Sequence, residues 1–235
     1  MALSSITKKL IMSISGLFLI LFLLLHTTIN FFAVIDVLTG KWGDTVNGLY
    51  AKGCEFMASP IISIMVPVLA LGFIIHIVWA CILTYGNYKA RGPQRYAVAH
   101  KGKAESWASK NMLVLGIVVL GIIAFHLSHF WIDMQYAEWF KEGHETYKEV
   151  YGLMGETFGN ILYVIIYLVW FAALWFHLTH GFWSAFQSIG MSNNVWEKRL
   201  MCIGNIVATI ICGCLAVIAI VVYMKQLGFN LVIFA

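Results

Sequence analysis

Charge is scarce in this chain. Of its 235 residues, 11% are Asp, Glu, Lys or Arg, whereas soluble domains carry about 25%. That shortage excludes an ordinary water-soluble globular protein. Proline is limited to three residues, so little in the sequence interrupts a helix. The five cysteines (Cys54, Cys81, Cys202, Cys212 and Cys214) make no CxxC pair. The "CGC" at 212–214 is too close-set for a tetrahedral zinc site and has no partner pair, so the thiols read as small packing residues. A dinucleotide-binding glycine fingerprint is also lacking. No polar stretch is long enough for a soluble catalytic domain. Any chemistry must therefore occur inside the apolar part of the chain or on partner subunits.

What the chain has is apolar surface. Hydrophobic residues make up 61% of it, and the mean hydropathy is +0.84. Apolar runs of about 20 residues cross a hydrocarbon core of about 30 Å. Five such runs occur, roughly Leu10–Val34, Ile61–Tyr85, Asn111–Ile132, Asn160–Phe186 and Leu200–Met224. The expected fold is an all-α integral membrane protein, a bundle of five transmembrane helices forming one domain over 1–235. Lys8 and Lys9 before the first run resemble the start of a signal peptide. However, the run is too long for a typical signal h-region and no A-x-A site follows, so an uncleaved first helix is expected.

Basic residues are distributed unevenly. Lys8, Lys9, Lys89, Arg91, Arg95, Lys101, Lys103, Lys110, Lys198 and Arg199 fall on one predicted side, opposed only by Glu105 and Glu197. The other side holds most of the acids, many of them between Asp133 and Glu156. The positive-inside rule then puts the N-terminus in the cytoplasm and the C-terminus outside. The basic face could dock a soluble partner or anionic lipid. Trp42, Trp107, Trp131, Trp139 and Trp196 fall near predicted span ends, where interfacial anchors belong.

Histidine is the unusual residue. His100 and His144 lie in polar loops, but the other six fall within the first four spans, where ionisable groups are costly and usually functional. Taking one per span gives His26, His76, His126 and His177. At 1.5 Å per residue, His26 and His126 lie roughly 24 and 22 Å along outward-running spans. His76 and His177 lie roughly 22 and 25 Å along inward-running ones. The four histidines therefore form two pairs at two depths, roughly 15 Å apart.

Bis-imidazole ligation of haem needs this arrangement, with one imidazole from each of two helices on either face of one iron. Six-coordinate iron suits electron transfer. The competing readings are histidines hydrogen-bonded to neighbouring helices, and zinc, which would need four ligands at one depth. His129 and His180 each lie three residues beyond a member of a pair and nearer the surface. They are assigned to water or a propionate, and His126 and His177 to the metal. Gly16 and Gly116 each precede a histidine by ten residues and clear a surface for a flat macrocycle or a close helix.

The segments "GLFLILFLLLHTTIN" (16–30), "ALGFIIHIVW" (70–79), "LGIVVLGIIAFHL" (115–127) and "FHLTHGFWSAFQSIGM" (176–191) resemble the cytochrome b subunit of succinate:quinone oxidoreductases. The likeness is to the single-polypeptide, five-helix, dihaem kind of bacterial succinate dehydrogenases and fumarate reductases, and it covers nearly the whole chain. Its most specific part is Phe176, His177, Gly181, Trp183, Ala185 and Gly190. The resemblance implies two haems b, with His26 and His126 on the outer iron and His76 and His177 on the inner. Ser13 matches a serine that helps hold inner-haem propionates. Glu55 is the one acid near a loop where some members bind quinol. Trp175 departs from the pattern, standing where some fumarate reductases carry a glutamate linked to a proton path.

The resemblance further implies a membrane anchor that moves electrons between quinone (menaquinone or ubiquinone) and two cytoplasmic partners. These are an iron–sulfur subunit and an FAD flavoprotein that interconverts succinate and fumarate. It implies a multi-pass protein of the bacterial inner membrane, in contact with lipid and with no nucleic-acid partner. Two alternatives remain. One is a haem b anchor of another quinone-linked oxidoreductase, such as a nitrate reductase or hydrogenase, whose ligands are placed differently. The other is a transporter using histidines as relay groups, which predicts a colourless protein with interrupted central spans.

Overall fold

In the computed structural model, the structure describes residues 4–91, 107–134, 140, 149–191 and 193–234. His100, His144, Arg95, Lys101, Lys103, Glu105, Trp139, Lys141 and Lys148 lie outside the described residues.

Among the described residues there are no strands. In a bilayer every backbone N–H and C=O must be satisfied within the protein, and a helix does this with its own residues. Helix α1 spans Ser5–Leu38, α2 Leu49–Met57 and α3 Pro60–Arg91. A single turn, α4, covers Trp107–Lys110. Helix α5, Met112–His126, passes into a π-helical turn at Leu127–Trp131, the apolar helix reaching Met134. Helix α6 covers Val150–Phe158, α7 Ile161–Ser188 and α8 Trp196–Gln226. Five of these are long and apolar enough to cross a membrane. The chain is an all-α, multi-pass membrane protein.

Helix α3 runs on through Pro67, so proline does not break it. Helices α1, α7 and α8 end at Gly40, Gly190 and Gly228, with φ of 71°, 89° and 85°. At Gly190 the Met191 N–H reaches back to Phe186 O at 3.1 Å, as in a Schellman stop. The glycine at that position of the "FHLTHGFW…G" motif thus has a backbone reason. Trp183 and Ala185 of the same motif are buried.

Two compact units are present. The first comprises Met1–Phe22, Pro67–Ile117 and Trp175–Thr209; the second comprises Leu23–Val66, Val118–Leu174 and Ile210–Ala235. In the first, α1 and α3 approach closely, since a Cβ on Gly72 would meet the Phe18 ring at 2.7 Å. Trp175 Nε1 donates to Thr209 Oγ1 at 2.9 Å, tying α7 to α8 as polar groups do between membrane helices.

In the second unit the carboxylate of Asp36, at the end of α1, is fully buried. It accepts the N–H groups of Leu49 and Tyr50, both at 2.8 Å, and the Tyr151 hydroxyl at 2.7 Å. Leu49 and Tyr50 open α2, so Asp36 caps that helix from a distance and satisfies donors it cannot pair itself. Tyr151, on α6, has its hydroxyl pKa pushed upward by burial and by the Asp36 carboxylate. The short helices α2 and α6 are therefore pinned to α1 through one carboxylate.

Candidate functional site: two histidine couples

Among the described residues, each unit brings together two of the four histidines singled out from sequence. In the second unit His26 of α1 and His126 of α5 have ring centroids 5.8 Å apart at 90°. In the first unit His76 of α3 and His177 of α7 have centroids 6.3 Å apart at 64°. An imidazole nitrogen lies about 2 Å from a metal it ligates and about 1.1 Å from its own ring centre, so two rings sharing one metal from opposite sides have centres about 6 Å apart. Both couples stand at that spacing. Among the described residues no three His, Cys, Asp or Glu side chains converge. The arrangement therefore offers two-ligand sites, which suit a metal whose remaining positions are filled by something other than protein.

The ring nitrogens next to these contacts matter, because the partner of one nitrogen decides what the other can do. His76 Nδ1 lies 3.3 Å from Ser15 Oγ on α1. His126 Nδ1 lies 3.3 Å from the Tyr167 hydroxyl on α7. His177 Nδ1 is buried without a partner. Asn30 donates to the His26 carbonyl at 2.8 Å, one turn on, and its amide stands 3.5 Å from both His26 ring nitrogens. Neither Ser15 nor Tyr167 was singled out from sequence. Tyr167 precedes His177 by ten residues, but which helix it faces is a tertiary fact.

Several further features fit a bound group between the rings. A Cβ on Gly16 would stand 3.4 Å from His76 Cε1, and one on Gly116 would stand 3.9 Å from His177 Cε1. Both are ordinary van der Waals distances, so the two glycines line the His76–His177 couple, on helices other than those carrying its imidazoles. In the second unit Thr27 Oγ1 and Trp170 Nε1 are buried without partners. Trp170 sits against His126, with ring centroids 5.9 Å apart, whereas Thr27, next to His26 in sequence, points off a different face of α1. A buried donor without an acceptor costs about 1–3 kcal/mol. A bound group carrying acceptor atoms would remove that cost.

The neighbouring histidines are differently employed. His129 lies in the π-helical turn, and its Nδ1 is 2.9 Å from Phe125 O, so the ring donates to its own helix there. Ser128 Oγ donates to the same carbonyl at 2.8 Å. Both side chains thus bond within their own helix at the π-helical turn. His180 packs edge-on against Trp183, with centroids 5.3 Å apart, and its Nδ1 is buried without a partner.

Of the other expected residues, Ser13 is buried and its Oγ donates to Lys9 O at 2.9 Å, so its proton is engaged within α1. Glu55 is exposed on α2. Comparison with protein-family models, curated proteins and solved structures gives no match to the chain.

Proposed function

We propose that this chain is a dihaem cytochrome b, the membrane anchor of a succinate:quinone oxidoreductase. The observation carrying the reading is the pair of imidazole couples, each from two different helices and each at the spacing two ligands of one metal require. Bound haem would supply reversible one-electron transfer at each couple.

The chain's own residues do the holding. His26 and His126 would ligate one iron, His76 and His177 the other. Gly16 and Gly116 line the second couple. The hydroxyls of Ser15 and Tyr167 orient one ring in each couple. Trp170 offers a donor to a group bound at the first couple, and Ser13 and Glu55 remain candidates for a propionate and a quinone. The low charge of the spans lets quinone reach the protein from the bilayer. The N-terminus would lie in the cytoplasm of a bacterial cell, with the basic side facing an iron–sulfur subunit and an FAD flavoprotein that carry out the dicarboxylate chemistry.

The alternative of a histidine relay in a transporter is less well supported, since α3 continues unbroken through Pro67. The test is to delete this chain and assay membranes. Quinone-linked succinate oxidation or quinol-linked fumarate reduction should fall to background, while dye-linked dicarboxylate activity persists in the soluble fraction. Unchanged quinone-linked activity would contradict the proposal.

A further inference from the structure

Ser15 is buried on α1 at 7% exposure, and its hydroxyl has two neighbours. Oγ donates to the Met12 carbonyl at 3.0 Å and lies 3.3 Å from His76 Nδ1. A hydroxyl has one proton and two lone pairs. With the proton directed to Met12 O, only lone pairs face the imidazole, so His76 must supply the proton of that contact. Neutral imidazole carries one N–H. Placing it on Nδ1 leaves Nε2 with the lone pair that a metal needs. Across the couple His177 Nδ1 has no partner, so the orienting contact comes from the His76 side alone.

We propose that Ser15 is a positioning residue for the His76–His177 couple. It fixes the His76 tautomer and strengthens electron donation from His76 Nε2 to a bound iron. The inference rests on the haem reading of that couple. An Nδ1–H donating to an oxygen makes the opposite nitrogen a stronger donor, and a stronger donor favours ferric over ferrous iron. Removing the acceptor should therefore raise the midpoint potential.

The experiment is a potentiometric titration of b-type absorbance in the purified holocomplex, with haem quantified per chain, for wild type, Ser15→Ala and Ser15→Thr. Ser15→Ala should shift the ferric–ferrous equilibrium of one haem about tenfold toward ferrous, or about 59 mV for one electron. The other haem should stay in place. Ser15→Thr keeps a hydroxyl and should titrate as wild type. Two haems with both midpoints unmoved in Ser15→Ala would overturn the proposal, as would an equal shift in Ser15→Thr, which would make packing the cause.

If Ser15→Ala fails to load one haem, a wild-type midpoint in Ser15→Thr supports the hydroxyl's role, and the same failure in Ser15→Thr overturns it. A wild-type complex without haem defeats the underlying reading itself, a result distinct from haems whose potentials ignore Ser15.

Discussion

Two hydroxyls stand beside the imidazoles, that of Ser15 next to His76 and that of Tyr167 next to His126. Tyr167 is buried at 1% exposure and packs against Phe158, Trp170 and Phe171, so Tyr167→Phe keeps the ring contacts and removes only the oxygen next to His126 Nδ1. The lost hydrogen bond is worth about 1 kcal/mol. On the dihaem reading, the midpoint of a haem held by His26 and His126 should rise, while the other keeps its wild-type value in the same redox titration. No shift would leave Tyr167 a packing residue. The four ligand candidates were legible in the sequence because an ionisable side chain in an apolar run is conspicuous and helical rise gives its depth. Ser15 and Tyr167 were not, since serine and tyrosine are ordinary in such runs and their partners lie on other helices. The expectation for Ser13 came from resemblance. Ser15, two residues on, is the serine that reaches a histidine.

Between residues and molecule lie the short helices. Hydropathy alone placed all five spans, but it cut them short. The first was expected over Leu10–Val34 and runs Ser5–Leu38, because a helix continues past its apolar stretch until caps stop it. Helices α2 and α6 were not foreseen, since nine residues are too few to show a period. Their anchor, Asp36, looked like one acid among several on its side of the chain. Asp36→Asn would turn an amide N–H₂ toward donors and remove a charged acceptor, at a cost of about 1.5–3 kcal/mol. Thermal melting of the purified protein should show a lower Tm with haem content per folded chain unchanged. An unaltered Tm would mean that α2 and α6 are held by packing alone. Gly48 belongs to the same device, because a Cβ there would collide with the Tyr151 hydroxyl.

At the scale of the whole molecule, composition had already excluded a soluble protein, and the five long apolar helices agree with it. The proposed orientation rests on charge placement. A reporter active only outside the cytoplasm should be inactive at the N-terminus and active at the C-terminus, and the reverse would upset the assignment of partner subunits to the basic side. The central claim is that each of two imidazole couples grips one iron porphyrin. A reduced-minus-oxidised spectrum of the purified chain, with haem assayed per polypeptide, tests it most directly. The account predicts b-type bands and two haems per chain. A folded preparation without a Soret band, made with ample porphyrin supply, would contradict it.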